Sequence, residues 1–279
     1  MTINTDLKNR TIDHSAMVRM YEDGVHKSID KTMNAHAKRM TVLLKKGDFQ
    51  AVRKLEAQIE KEIAATIAEI DKQLTPEMKS FISGEAQFHG DSLKNGVGKH
   101  YKVRTPDRSE IRNLVNKTPI IGNRVLSESL RKIGSDERRR ITQAVRIGMT
   151  QGLSQATIVK NVTQGAPINI SRAQLRTVVR TSITSYASEA AMATYKENED
   201  VITGFQYVAT LDTRTTPICA RNDGRVFKVG AKNAPTPPLH WNCRSTTVPI
   251  TSNIDDWDHE GNNRFKKVNS ATPGFRASA

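Results

Sequence analysis

The segment from residue 203 to residue 250 decides the fold, and it reads TGFQYVATLDTRTTPICARNDGRVFKVGAKNAPTPPLHWNCRSTTVPI. Three stretches within it, residues 203–211, 225–229 and 244–250, are rich in β-branched and aromatic residues, which favour strands. The turn residues Asn222-Asp223-Gly224 precede the second stretch. Pro249 in the third stretch is typical of an edge strand. The segment therefore predicts a small antiparallel β module.

Before this module, the sequence has the apolar spacing of helices. Apolar residues recur every three or four positions in two long stretches, which places each set on one helix face. The first set comprises Met17, Tyr21, Val25, Ile29, Met33 and His36, and the second comprises Val52, Leu55, Ile59, Ile63, Ile67, Ile70 and Leu74. The turn residues at 45–48 lie between the two stretches, so we predict two antiparallel helices.

The middle of the chain predicts shorter elements. Thr75-Pro76 is typical of a helix start, and the glycines and Pro106 of residues 84–106 indicate a loop or linker. Short helices are expected near 109–117 and 122–133, and a further helix is expected from Ser135. Two more helices follow, and we predict Ser154 and Ser171 as their caps.

These patterns predict an α+β fold with four regions. The N-terminal and middle regions are mainly helical, and the C-terminal module is a small antiparallel sheet. We expect a short motif of Cys and His side chains, the Cys/His knuckle, to clamp this sheet. The predicted regions are a long helical hairpin (1–83), a linker with short helices (84–134), a domain of helices followed by the β module (135–250), and an extended tail (251–279).

Both cysteines of the chain lie in the β module. Cys219, His240 and Cys243 follow the spacing Cys-x20-His-x2-Cys, which offers three ligands of the kind that zinc prefers. A closed structural site needs a fourth ligand, for which Asp212, His259 and a water are candidates; we favour Asp212 because it precedes Cys219 by seven residues. Two buried thiols and a Cys219–Cys243 disulfide remain as alternatives. A catalytic zinc is disfavoured because the sequence offers no paired general base beside it.

Composition restricts the function further. The chain has 279 residues, a formal net charge of +14, and only 5% aromatic residues. Such a charge favours polyanionic neighbours, but the aromatics are too few for a base-stacking surface, and no DNA-reading motif is present. Any contact with nucleic acid is therefore expected to be non-specific. The sequence has neither an apolar run for a membrane span nor the apolar region of a signal peptide, so we expect synthesis in the cytoplasm.

The knuckle also carries a resemblance to a known family. Residues 211–219 (LDTRTTPIC), Asp223-Gly224 and residues 237–244 (PPLHWNCR) resemble the C-terminal signature of the Mu protein F-like family, the head morphogenesis or minor head proteins of tailed phages. Residues 147–154 and 179–182 resemble its upstream helices, so the resemblance covers roughly 135–250. The chain departs from the family at Ser182, where Glu is common, and at Ser245, where many members have a third Cys.

The resemblance implies a structural minor head (minor capsid) protein and no enzymatic activity. Such a protein is associated with the portal, acts in head assembly and in DNA packaging or delivery, and lies inside the head of the virion. Its implied partners are the portal protein, the major capsid protein and packaged double-stranded DNA, bound non-specifically, and no membrane. Besides the candidate zinc ligands, the motif residues expected to hold the turns are Arg214, Thr215, Pro217, Asp223, Gly224, Pro238 and Arg244.

The residues suggest two other classes of function, an enzyme and a DNA-binding accessory protein. Arg180, Ser182 and the stretch 197–199 superficially resemble the elements of ADP-ribosyltransferases, although 180–199 is predicted to be one helix. A nuclease using His240 conflicts with that residue's ligand spacing, because a metal-bound imidazole cannot also transfer protons. A plain DNA-binding packaging accessory protein is compatible with the charge but has no reading motif.

Overall fold

The structure is a computed structural model that describes residues 3–97 and 101–251. It confirms the predicted α+β class, with helices predominant and a small antiparallel sheet at the C-terminal end of the described chain. The elements are α1 (Ile3–Lys46), α2 (Val52–Val97), α3 (Arg108–Lys117), α4 (Leu126–Thr150), α5 (Gln155–Thr163), α6 (Ala166–Glu197), β1 (Gly204–Val208), α7 (Pro217–Asn222), β2 (Val226–Lys228) and β3 (Thr246–Ile250).

Helices α1 and α2 are separated at the predicted turn. The Asp48 carboxylate accepts hydrogen bonds from the backbone N–H groups of Gln50 and Ala51, at 2.8 and 3.3 Å. The apolar stripe of α2 from Leu55 to Leu74 is buried as predicted. In the first stripe Met17 was wrongly included, because its side chain is 64% exposed.

Helix α2 does not end where the sequence suggested. It continues through Pro76 and Gly84 to Val97, so the prediction of a helix start at Thr75-Pro76 and of a loop from residue 84 was wrong. The physical reason is that the buried face continues beyond Pro76, with Met78, Phe81, Ile82, Ala86 and Leu93 at helical spacing. Tertiary burial outweighs the local cost of one proline and several glycines.

Helix α4 is one continuous helix where two were predicted. Gly134 and Ser135 lie inside it, and Asp136 pairs with Lys132 and Arg139 instead of capping a new helix. Gly134 is buried, and a β-carbon added there would approach Ile67 Cγ1 to 2.8 Å. The glycine is therefore explained by close packing against α2 and does not mark a helix boundary.

The two predicted serine caps have different outcomes. Ser154 caps α5, where its side chain accepts from the backbone N–H of Thr157. Ser171 was wrongly predicted as a cap, because α6 already begins at Ala166. The Ser171 side chain is buried within the helix and accepts a hydrogen bond from Arg140 Nη2 at 2.7 Å.

The sheet has the strand order β2-β1-β3, and both pairings are antiparallel. The three strands lie within the three predicted stretches. Pro249 lies on the edge strand β3 opposite Phe205, which agrees with the prediction from its missing N–H. The short helix α7, between β1 and β2, was not predicted.

The chain forms two compact units. Of the described residues, unit 1 comprises 3–20, 78–97, 101–123 and 181–251, and it contains the sheet; unit 2 comprises residues 21–77 and 124–180. The domain boundaries at residues 83, 134 and 250 stay a prediction, and the predicted tail beyond residue 251 lies outside the described residues. Among the described helices, none combines the length and apolar content needed to cross a membrane.

Candidate metal centre

The structure brings three of the four predicted metal ligands together in unit 1. Cys219 lies on α7, and His240 and Cys243 lie in the loop that leads into β3. Cys219 Sγ is 3.1 Å from His240 Nε2 and 3.7 Å from Cys243 Sγ, and the three ligand atoms all lie within 4.8 Å of one another. This group has the composition and the spacing to bind a metal ion.

The separation of the ligand atoms agrees with a tetrahedral zinc site. With Zn–S bonds of about 2.3 Å and tetrahedral angles, two sulfurs lie about 3.8 Å apart. The observed Sγ–Sγ separation of 3.7 Å matches that value, whereas a disulfide would need about 2.05 Å. Both cysteines are free thiols, and both are buried.

The orientation of His240 suits a ligand. Its Nδ1 lies 2.8 Å from the backbone carbonyl oxygen of Trp241. Because a carbonyl oxygen can only accept, Nδ1 must carry the proton, and in the neutral ring the lone pair of Nε2 then faces the sulfurs. A backbone carbonyl on the far nitrogen is the usual way in which a ligating histidine is oriented.

Two threonines of α6 hold the loop that carries His240 and Cys243. The Thr181 hydroxyl accepts from the backbone N–H of Asn242 at 3.0 Å, and the Thr184 hydroxyl donates to the carbonyl of Cys243 at 3.0 Å. They are three residues apart and therefore share one helix face. Asn242 has a φ of 60°, a left-handed conformation that Asn tolerates better than most residues. Sequence reasoning missed the role of both threonines, although Thr181 lay in a motif that carried the resemblance.

The environment of Cys219 favours its thiolate. The Cys243 thiol donates toward Cys219 Sγ, and further hydroxyl donors include Tyr207, whose Oη lies at 3.2 Å; together they hold the pKa of Cys219 well below its usual range. The thiolate is the form that binds a metal. Burial beside the sulfurs raises the pKa of Tyr207, so its hydroxyl keeps its proton and donates. No sequence signal distinguishes this tyrosine beyond its place in the predicted strand.

Asp212 is not brought to the cluster. Its two carboxylate oxygens accept from Arg244 Nη1 and Nη2, each at 2.6 Å, and one also accepts from the backbone N–H of Arg214 at 2.8 Å. The Arg244 guanidinium holds the pKa of Asp212 well below its usual range. Of the other two candidates for the fourth position, His259 lies outside the described residues.

The remaining motif residues surround the cluster. Thr215 donates to the carbonyl of Thr210 and accepts from the backbone N–H of Asp212, which closes the turn before α7. The Arg214 side chain is 73% exposed and lies 3.6 Å from Asp212. Pro217 begins α7, and the peptide between Pro237 and Pro238 is cis.

Asp223 and Gly224 connect α7 to the sheet. The Asp223 carboxylate accepts from the backbone N–H of Ala209 at 2.7 Å, and its burial raises its pKa to about 6. Gly224 has a φ of 74°, and its N–H donates to the carbonyl of Tyr207 at 2.9 Å. The two residues therefore connect this turn to β1 and to the loop that follows it.

The residues named for the two enzymatic alternatives have other surroundings in the structure. Arg180 and Glu197 both lie on the helix α6, as predicted. Ser182 is fully buried, and Asn198 bonds both backbone groups of Arg104. The two ring nitrogens of His240 contact Cys219 Sγ and the Trp241 carbonyl oxygen.

Residues 139–248 match the family model described as Phage Mu protein F like protein. The match encloses the Cys/His cluster and the two threonines of α6, and it is consistent with a phage head morphogenesis protein. Residues 139–248, fewer than half of the 279 residues, are thus similar to the Phage Mu protein F-like family, which confirms the resemblance that the motif predicted. Among curated proteins and among solved structures, none matches the chain significantly.

Proposed function

We propose that the protein is a structural minor head protein of a tailed phage, associated with the portal, which acts in head assembly and in DNA packaging or delivery. The observation that carries the proposal is the family match over residues 139–248, which includes the Cys/His cluster. A structural role agrees with a cluster whose cysteines are buried and whose histidine is fixed by a backbone carbonyl.

The cluster is proposed as a structural zinc site held by Cys219, His240 and Cys243. Its two elements, α7 and the loop before β3, are far apart in sequence, and the strands they adjoin are only three to five residues long. So small a sheet buries little apolar surface of its own. When bound, zinc supplies a cross-link between α7 and the loop.

The proposed partners are the portal protein and the major capsid protein, with packaged double-stranded DNA bound non-specifically and no membrane. The proposed location is the inside of the head. A net charge of +14 supports a neighbourhood rich in phosphate.

Purified virions test the minor head assignment. Quantitative mass spectrometry of full heads is expected to find the protein in far fewer copies than the major capsid protein. The protein should co-purify with a tagged portal ring. Absence from particles would instead indicate a packaging accessory protein that acts before the head is complete.

Metal analysis tests the zinc site. Protein purified under reducing conditions is expected to hold about one zinc per chain. His240→Ala should lose that zinc and lower the melting temperature, whereas Trp241→Ala, which changes an exposed side chain beside the ligand, should retain it. Metal-free protein with an unchanged melting temperature would refute the zinc site and leave the family assignment intact.

A further inference from the structure

One face of α1 in unit 2 carries a regular row of basic and polar residues, which we call the lysine stripe. Its members are Lys27, Lys31, Asn34, Lys38, Thr41 and Lys45. They are spaced alternately by four and three residues, so they lie within an arc of about 80° along about 27 Å of helix. The stripe is long, and none of its members is apolar.

The lysines of the stripe are not neutralised by neighbouring carboxylates. All four are exposed, and none forms an ion pair with a residue that the structure describes. Asp30 is the only acidic residue between positions 27 and 45, and it pairs with Arg176. The four ammonium groups therefore remain available to an external anion.

Arginines of α6 extend the basic surface beside the stripe. Arg172 Nη2 donates to Asn34 Oδ1 at 2.7 Å, which places this guanidinium at the edge of the stripe. The segment 124–180, which belongs to the same unit, contains 11 Lys or Arg residues and three acidic ones. The segment therefore carries a net positive charge, to which α6 contributes Arg172, Arg176 and Arg180.

We infer that the lysine stripe binds the phosphate backbone of double-stranded DNA without reading its sequence. The inference rests on the proposed function, because the stripe would be the surface by which a head protein contacts packaged DNA. Lysines repeated along one helix face can contact the regularly spaced phosphates of a DNA backbone. Such binding is driven by the release of counterions from the DNA. An acidic protein is the weaker partner, because protein interfaces are depleted in lysine and have apolar centres, and this stripe has none.

Two triple variants with the same change in charge test the stripe. The first is K31Q/K38Q/K45Q on α1, and the control is K54Q/K61Q/K72Q, which removes three exposed lysines of α2 that lie among acidic residues. Far-UV circular dichroism and melting temperature establish that each variant is folded. The affinity for a mixed-sequence duplex of about 30 base pairs is measured by fluorescence anisotropy across a series of sodium chloride concentrations.

The stripe variant is expected to bind more weakly, with the slope of log K against log salt shallower by about 2.7. The control is expected to keep a slope near that of the wild type. Equal losses in the two variants, or no loss in either, would overturn the inference. So would normal DNA binding by the stripe variant with lost binding of poly-glutamate, which would assign the stripe to an acidic protein. Incorporation of the variant into virions tests the proposed function separately.

Discussion

At the scale of single residues, Asp212 differs in its contacts from the role predicted for it. It was predicted as a metal ligand, and in the structure its contacts hold a loop. Its carboxylate forms a bidentate pair with Arg244, the residue after Cys243. The pair links the turn before α7 to the loop before β3. We therefore propose that Asp212 positions the loop and that Cys219, His240 and Cys243 are the candidate metal ligands.

Asp212→Asn is expected to keep about one zinc per chain and to lose about 1 kcal/mol of stability. The loss is modest because the carboxylate is about one-third exposed. Metal analysis and urea unfolding measure the two effects. Arg214→Gln is the control, and its largely exposed side chain should change neither quantity. A folded Asp212→Asn protein without zinc would show that Asp212 is a ligand.

At the scale of elements, two glycines within helices have opposite surroundings. Gly134 in α4 packs against Ile67, whereas a β-carbon at Gly84 in α2 would meet no atom within 4 Å. The first glycine permits two helices to approach closely, and the second has no such role. The same residue type therefore has different energetic consequences in the two helices.

Gly134→Ala is expected to destabilise the protein by about 1–2 kcal/mol, because the clash with Ile67 outweighs the gain in helix propensity. Gly84→Ala is expected to stabilise it by about 0.5–1 kcal/mol, since only the gain in propensity remains. Thermal unfolding of both variants makes the comparison. A destabilising Gly84→Ala would contradict the continuation of α2 through this position.

A buried histidine connects three helices of unit 2. His36 of α1 has Nε2 at 2.9 Å from a Glu137 oxygen of α4 and Nδ1 at 3.2 Å from a Glu62 oxygen of α2. Thr66 also contacts Nδ1, and Arg39 shares Glu62. Burial lowers the pKa of His36, but the interactions with the two carboxylates outweigh burial and raise its pKa overall.

Because the pKa of His36 is raised by folding, its stabilising effect is complete below about pH 6.5 and is lost as the pH rises through the folded-state value. The urea concentration at the unfolding midpoint of the wild type should therefore decrease as the pH is raised from 6 to 8.5. In His36→Gln this fall should be smaller, and at pH 6 the variant should be less stable by about 3 kcal/mol. An identical pH dependence in the two proteins would contradict the assignment.

At the scale of the whole molecule, the family-matched segment depends on the rest of the chain. In unit 1, the core around Tyr195 and Phe205 includes Leu7 of α1 and Leu93 of α2. In unit 2, the buried His26 of α1 lies 3.2 Å, by its Nε2, from the backbone carbonyl oxygen of Arg176 on α6. Residues 139–248 contain only part of each core, so the match in sequence does not define an independent folding unit.

A fragment comprising residues 139–248 is therefore expected to lack a cooperative thermal transition, with or without added zinc. The full chain should show one under the same conditions, by circular dichroism. The physical reason is that the fragment exposes apolar surface which α1 and α2 cover in the full chain. A well-dispersed NMR spectrum of the fragment would contradict this expectation and favour the predicted domain of residues 135–250.

The sequence alone determined the features that depend on local pattern. The three strands, the buried stripe from Leu55 to Leu74, the Ser154 cap and the Cys219–His240–Cys243 grouping all follow from periodicity, capping chemistry or spacing. Each involves residues whose own type restricts the backbone or the ligand chemistry, whatever lies elsewhere in the chain. Only the tertiary structure decided the continuation of α2 past Pro76, the single helix α4, the partner of Asp212 and the threonine anchors on α6. These features depend on burial or hydrogen bonding between residues far apart in sequence, and such contacts can override a local signal for a break or a cap.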